Sequence, residues 1–385
     1  MKKTLFYIII LIFSFGHSIA QKQRGKIAVF TPLYLDEAFD QEGNYKFNKK
    51  TFPNKSIQGL EFYQGVSIAT DSLSKTDANL DVYIYDSKSS KFTLDQQFNR
   101  AIDEGVQLVI ANISIDELKK LAPLAYKSKV TLINATVPND ANAVGNPYYV
   151  IINPTLQTLV EKMYLKLSKD YNTKTVYLCS RLGDKTDKMI ADALIKWNQH
   201  NNNKPVVFKS IQWKDTTSLT PLFNQLKTEK NAVIVSTSLD TKFGDQLLKS
   251  LARKNAPGIT VYGFPTWESL DLSKKDYKGL TIIYSTPFYN NFTSPASKDI
   301  QAYYAKNMFA RPSDLVFRGF ALTYKYGRLL NKYGNQFTTN MNNKEFIGIY
   351  DFDIQPVLKN GQLNYFENKK LSFLNYLDGN LIKVD

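Results

Sequence analysis

Eight short apolar runs recur along this chain: KIAVFTPLY, LDVYIYDS, VQLVIANI, VTLINAT, TVYLCS, AVIVSTS, ITVYGF and LTIIYST. Amphipathic stretches separate most of them. Strands buried on both faces read as continuous Val/Ile/Leu runs, and neighbouring parallel strands need a helical crossover between them. The alternation therefore predicts an α/β protein with more than one sheet. With 385 residues, 43% of them hydrophobic, the chain can bury a large core, and its length suggests two or three domains.

The N-terminus reads as an export signal. Lys2 and Lys3 form a basic start, LFYIIILIFSF is an apolar centre, and Ser18-Ile19-Ala20 places small residues for cleavage before Gln21. The apolar run is short for a span of about 20 residues, and no Cys stands near the cleavage site to carry a lipid. Residues 1–20 are expected to leave, which gives a periplasmic or secreted product. Losing two lysines takes the formal charge from +14 to +12. Lysines are scattered or at most paired, as in Lys49-Lys50, Lys274-Lys275 and Lys369-Lys370, so the charge reads as a generally basic surface, and no nucleic-acid motif accompanies it. Cys179 is the one cysteine, which excludes an internal disulfide, and its place in TVYLCS predicts a buried core residue.

Residues 26–136 read as one αβ block. The helix beginning near Ser56 carries Gly59 and Gly65, which would let another backbone approach closely. Gly105 is placed to end TLDQQFNRAIDEG, and Ser114 with Glu117 forms a capping box. The turn-rich segment 137–150 connects to a second αβ block over about 155–284. Two helices follow, SKDIQAYYAKNMFA and LVFRGFALTYKYGRLLNKYG, and then a tail of short antiparallel strands turning at Asn360-Gly361 and Asp378-Gly379.

Catalytic chemistry is missing. After signal removal the one histidine is His200, in the polar NQHNNN stretch, where it reads as a solvated loop residue. There is no HExxH, GxSxG, Cys/His cluster or phosphate loop. Asp351 and Asp353 alternate on an expected strand as solvated acids. Neither an enzyme, a cofactor nor a metal is expected.

The layout resembles the type I periplasmic-binding-protein fold, nearest to the branched-chain amino-acid receptors among the substrate-binding proteins of ABC transporters. The first strand, the αβ units with their connector, the return to helices and the β tail carry the resemblance. PSDLVFRGFALTYKYGRLLNKYG is similar to the late helix of the first lobe in that class. The resemblance implies two Rossmann-like lobes joined by a three-strand hinge, a Venus-flytrap arrangement. Lobe I would take residues 24–138 plus 288–345, and lobe II 139–287 plus 346–385. Ligands of open α/β sheets lie beyond the carboxyl ends of strands, near helix N-termini. The residues following the strands are therefore the candidate ligand contacts: Tyr34, Asn112, Ser114, Thr136, Arg181, Ser236, Ser238, Trp267 and Tyr289. Ser114 and Thr136 match in type and place the family's holders of an amino-acid carboxylate, although the Gly and Ser that surround them in the family are absent here. Trp267 is expected to face the cleft.

The expected function is an exported, non-enzymatic solute-binding protein. It would close on a small polar ligand such as an amino acid and deliver it to an inner-membrane permease. The alternative is a cell-envelope regulator or scaffold of the same fold that binds protein or peptidoglycan partners and no small solute. The positive charge and the long insertion at residues 35–55 favour that second idea.

Overall fold

The computed structural model describes residues 24–47, 52–200, 205–214, 220–226, 231–254, 258–377 and 380–384. The expected signal segment, the Lys49-Lys50 pair and the Asp378-Gly379 turn lie outside them. In chain order the strands are β1 (Gly25–Thr31), β2 (Leu80–Asp86), β3 (Leu108–Ala111), β4 (Thr131–Asn134), β5 (Tyr149–Ile151), β6 (Thr175–Arg181), β7 (Val207–Trp213), β8 (Val233–Ser236), β9 (Thr260–Gly263), β10 (Thr281–Thr286), β11 (Ile354–Lys359), β12 (Gln362–Asn368), β13 (Ser372–Leu377) and β14 (Asn380–Lys383). The helices are α1 (Leu35–Ala38), α2 (Asn54–Ser74), α3 (Leu94–Asp103), α4 (Ile115–Ser128), α5 (Leu156–Asp170), α6 (Lys185–His200), α7 (Thr220–Leu226), α8 (Thr241–Arg253), α9 (Pro295–Asn307) and α10 (Asp314–Tyr333).

All eight apolar runs form strands, and they pair in parallel within two seven-stranded sheets. Lobe I has the order β11-β12-β5-β4-β3-β1-β2, and lobe II the order β14-β13-β10-β9-β8-β6-β7. The registers are continuous, with Ile27 opposite Leu108 and Val82, and Val176 opposite Val233. Every residue of β3, β4 and β8 is buried, as strands covered on both faces must be. Cys179 is fully buried.

Local signals behave as expected. The Ser114 backbone N–H donates to Glu117 at 2.9 Å, completing the capping box. Gly105 follows α3 with φ 81°, and Asn360-Gly361 turns β11 into β12 with φ 52° and 77°. Asp351 and Asp353 precede β11 instead of lying on a strand; Asp351 pairs with Lys344. His200 ends α6 instead of sitting in a loop; it is exposed, with its ring Nδ1 2.8 Å from the Lys196 carbonyl.

The lobe boundaries shift from those expected. Residues Tyr149–Ile151, inside the presumed connector and its flank, pair with β4 and belong to lobe I. The tail divides between the sheets. β12 pairs with β5 and carries β11 along, while β13 pairs with β10 and carries β14. Lobe I therefore reaches past 138 to about Ile152 and reclaims residues 354–368 from the expected lobe II. A three-residue strand buried on all sides is too short to show a period of its own.

The chain crosses between lobes three times, after β5, after β10 and after β12. Glu367, 1% exposed, ties the first and third crossings. Its Oε1 accepts from the Thr155 N–H at 2.7 Å and from the Thr155 and Thr158 hydroxyls at 2.9 and 2.6 Å, at the start of α5, while Oε2 lies 2.8 Å from Lys369 Nζ. Asn368, fully buried, donates to the Ile152 carbonyl at 3.1 Å and accepts from the Asp353 and Lys370 N–H groups.

In lobe I, α2 and α10 cross with backbones nearly touching. A Cβ on Gly65 would sit 2.1 Å from the Val316 carbonyl oxygen, one on Gly319 would sit 2.3 Å from that of Phe62, and one on Gly59 would sit 2.1 Å from that of Pro32. The glycines read from the sequence as close-approach points serve as such.

The same helix buries Lys325, 1% exposed, with no hydrogen-bond partner for its ammonium among the described residues. Burial, reinforced by Lys344 and opposed by Asp351, lowers its pKa to about 8. The unfolded chain then holds a proton the native state releases, so wild-type stability rises as pH climbs from about 8 through the ordinary lysine range. Lys325→Met is expected to stabilise the fold by about 2 kcal/mol near neutral pH, with the gain shrinking towards pH 10.5. Urea denaturation across that range checks both the sign and the trend.

Candidate ligand-binding site between the lobes

The connections after the strands carry most of the candidate contacts. Asp86, at the end of β2, organises the first. Its carboxylate accepts from the N–H groups of Leu33, Tyr34 and Leu35 at 2.9, 3.1 and 2.8 Å, and from that of Lys88 at 3.0 Å. This holds Tyr34 at φ 56°, half-buried, with Lys55 Nζ 4.8 Å from its ring centre. Asp86 was not singled out from the sequence, although an acid closing an apolar strand beside another strand's loop is a recognisable signal.

The other lobe I candidates hold the loops together. Asn112 is buried and donates to the Thr31 hydroxyl at 3.0 Å. Ser114 is exposed, but its hydroxyl and its N–H both go to Glu117 Oε2, and Lys88 pairs with Oε1 at 2.9 Å. Burial pushes the Glu117 carboxyl up, yet the bonds from Ser114 and Lys88 leave it below the usual range. Thus a carboxylate of the chain itself occupies these donors at the start of α4. Thr136 is half-buried, and its carbonyl accepts from Asn153 at 2.8 Å.

In lobe II, Arg181 is committed to three carboxylates. It forms a two-pronged pair with fully buried Asp187 at 2.9 Å and contacts Asp184 and Asp240 at 2.9 Å each. Ser236 and Ser238 are both fully buried. The Ser238 hydroxyl accepts from the Asp240 N–H at 3.1 Å, and the Ser236 hydroxyl lacks a partner among the described residues. Trp267 does not face the cleft. It is fully buried in the lobe II core, where Gly263 lies so close that a Cβ there would stand 2.1 Å from the indole. Gly244 and Gly263 lie against the ring within an apolar cluster, so the area that made exposure costly is met by the core instead of a ligand.

A cavity of about 660 Å³ does open between the lobes, at the edge where β10, β13 and β14 lie. Lobe II contributes Glu268, Asp271, Tyr284, Leu374 and Tyr376, and lobe I contributes Pro312, Asp314, Phe317 and Tyr350. Phe288–Phe292 of the second crossing line it as well, so Tyr289 is the one candidate from the sequence that does. From the turn after β9, Glu268 and not its neighbour Trp267 faces the space. Asp314 opens α10 within the segment that carried the family resemblance.

The polar groups of the cavity are coupled. Asp314 accepts from the Tyr350 hydroxyl at 2.9 Å and pairs with Arg318, whose guanidinium lies 3.6 Å from the Phe288 ring centre. Glu268 accepts from the Thr286 hydroxyl at 3.3 Å. Enclosure by the surrounding protein, then the charge of Asp314, raises the Glu268 carboxyl to about 7, against the opposing pull of Arg318 and Thr286. Among the described residues no group of His, Cys, Asp and Glu could hold a metal ion, and no helix is long and apolar enough to cross a membrane.

Residues 55–361 match the family model for periplasmic binding proteins. Solved structures share the fold at low identity. A putative branched-chain amino-acid ABC transporter from Rhodospirillum rubrum is 12% identical with a TM-score of 0.68, over 94% of this chain and 100% of that one. A branched-chain amino-acid ABC transporter periplasmic ligand-binding protein from Burkholderia xenovorans is 14% identical with a TM-score of 0.60, over 94% and 95%. The C-domain of LpoA from Haemophilus influenzae, a regulator of PBP1A, is 14% identical with a TM-score of 0.57, over 94% and 100%. No curated protein matches the chain. The match over most of the chain, together with two parallel-dominant lobes and three crossings, makes this chain a non-enzymatic member of the periplasmic binding protein family.

Proposed function

We propose that this protein is an exported solute receptor that closes its lobes on a small organic ligand and presents it to an ABC importer. The supporting observation is the 660 Å³ cavity walled by both lobes and by a crossing between them, a size within the usual range for small-molecule sites. A ligand touching both lobes favours the closed arrangement by its differential affinity. The three crossings leave rotation of one lobe against the other as the available motion.

The test is a thermal-shift screen of the chain from Gln21 onward against amino acids, small peptides, sugars, amines and muropeptides. A binding solute is expected to raise the melting temperature by mass action, and Tyr289→Ala to weaken that ligand at least tenfold while remaining folded. A folded protein that shifts with nothing in the screen would remove the solute reading. N-terminal sequencing of the exported product tests cleavage after Ala20.

One observation favours a second reading, an envelope scaffold. The insertion after β1 bears an exposed aromatic patch, in which Tyr45 packs against Phe39, Phe47 and Phe52 at 5.6, 5.7 and 6.4 Å between ring centres. A folded protein silent in the screen, yet retained by envelope proteins through this patch, would fit that role.

A further inference from the structure

The walls of the inter-lobe cavity are chemically one-sided. Among the described residues Glu268, Asp271 and Asp314 line it and no Lys or Arg does, in a chain that carries 49 basic residues against 35 acidic ones. Seven of its nineteen lining residues are aromatic, against 13% of the chain as a whole. Arg318, behind Asp314, offsets one of the three acids; among the described residues Glu268 has no cationic partner within ion-pairing distance, and it is open to the cavity. Arg318 also shows what this wall does with a cation: its guanidinium is paired to a carboxylate and laid on the Phe288 ring. A cation over an aromatic face is attracted by the negative face of the ring, more strongly where water is excluded.

Ser114 and Arg181, the candidates best suited to hold an anion, are already engaged. At the start of α4 the Ser114 N–H and hydroxyl bind Glu117, and Arg181 is surrounded by Asp184, Asp187 and Asp240. A ligand carboxylate in the cavity would meet three acids and no free base.

We propose that the solute of this cavity is an organic cation, an amine or quaternary ammonium on an apolar body, seated between Glu268 and Asp314 against the rings of Phe288, Tyr289, Phe317 and Tyr350. This deepens the solute-receptor reading and rests on it. The cation supplies the counter-charge Glu268 lacks, and the apolar body covers the rings.

Calorimetric titration of the full chain from Gln21 tests the assignment with three amines (phenethylamine, choline and agmatine) against phenylacetate, benzoate and leucine. At least one amine is expected to bind at least tenfold more tightly than any of the three carboxylate-bearing compounds. Glu268→Gln is expected to weaken that amine about tenfold without lowering the melting temperature of the free protein, because Glu268 is exposed and a glutamine oxygen can still accept from the Thr286 hydroxyl. Binding of the amine near pH 7 is also expected to release a proton, seen as a heat that varies with the ionisation enthalpy of the buffer, and a purely structural role for Glu268 would not produce this. If phenylacetate, benzoate or leucine binds as tightly as every amine, the cation assignment is overturned while the solute reading stands. If none of the three amines binds, the assignment is likewise overturned, and the broader screen decides the solute reading separately.

Discussion

Gly65→Ala is expected to cost lobe I about 3 kcal/mol, although alanine is the better helix former. In an open helix the exchange gains about 1 kcal/mol. Here the new methyl would stand 2.1 Å from the Val316 carbonyl oxygen and 2.8 Å from the Phe320 nitrogen. Both are backbone atoms, so relief requires moving α10 as a body, away from a core that includes Phe62, Val66, Phe320 and Tyr326. Forced overpacking typically costs 1–3 kcal/mol even where side chains can yield, and these atoms cannot. Gly327 in α10 supplies the control. A Cβ there meets only the ends of the Leu80 and Leu73 side chains, at 3.0 and 3.1 Å. Gly327→Ala is expected to lie within about 1 kcal/mol of wild type, because the leucines can shift and propensity improves. Equal denaturation midpoints for the two variants would refute the backbone-contact account.

Glu367→Ala is expected to be the most damaging single change at the hinge, about 4 kcal/mol. Removing one member of a buried ion pair typically costs 3–5 kcal/mol because the partner charge is left uncompensated. At Glu367 the loss also removes the acceptor of the Thr155 N–H and of the Thr155 and Thr158 hydroxyls at the start of α5, leaving Thr158 only its bond from Lys369. Glu367→Gln keeps an acceptor for the threonines and gives up only the ion pair, so it is expected to lose about half as much. Because this carboxylate joins β12 of lobe I to α5 of lobe II, its removal is also expected to split the unfolding curve into two transitions. A single transition at an unchanged midpoint would show that the lobes are coupled elsewhere.

The architecture was legible because buried parallel strands announce themselves. KIAVFTPLY, VQLVIANI and AVIVSTS could hardly be anything else, and the glycines of α2 marked where a backbone would come close. Elements whose identity depends on partners were not legible. β5 is three residues within a turn-rich stretch, and its membership in lobe I is set by β4 on one side and β12 on the other. The tail read correctly as antiparallel hairpins, but nothing local in it says that one joins each sheet.

The site was legible only as a set of loops. Tyr289 lines the cavity, and Glu268 is one residue from the chosen Trp267. In the short 3-10 turn Pro265–Ser269, neighbouring side chains point to opposite sides, one into the core and one into the open space. Arg181 is a candidate contact by its place at the end of β6, and the acids that engage it come from the start of α6, as Asp184 and Asp187, and from the start of α8, as Asp240. A sequence shows the charge of a side chain but not whether the fold has already answered it.

The threading of the chain through both lobes bears on the order in which the protein can assemble. The Ser313 hydroxyl donates to Glu61 across 252 residues, and β11 and β12 complete a sheet whose other strands end at Ile151. Lobe II, from α5 to β10, is one continuous stretch and lacks only its last hairpin. The segment made first therefore waits longest: β1 to β5 keep apolar faces uncovered until α10 and β12 leave the ribosome. Contacts so distant in sequence slow folding, and strands left waiting are open to aggregation. A holding chaperone would therefore need to protect the N-terminal third of this chain, even though that third becomes the core of the finished lobe.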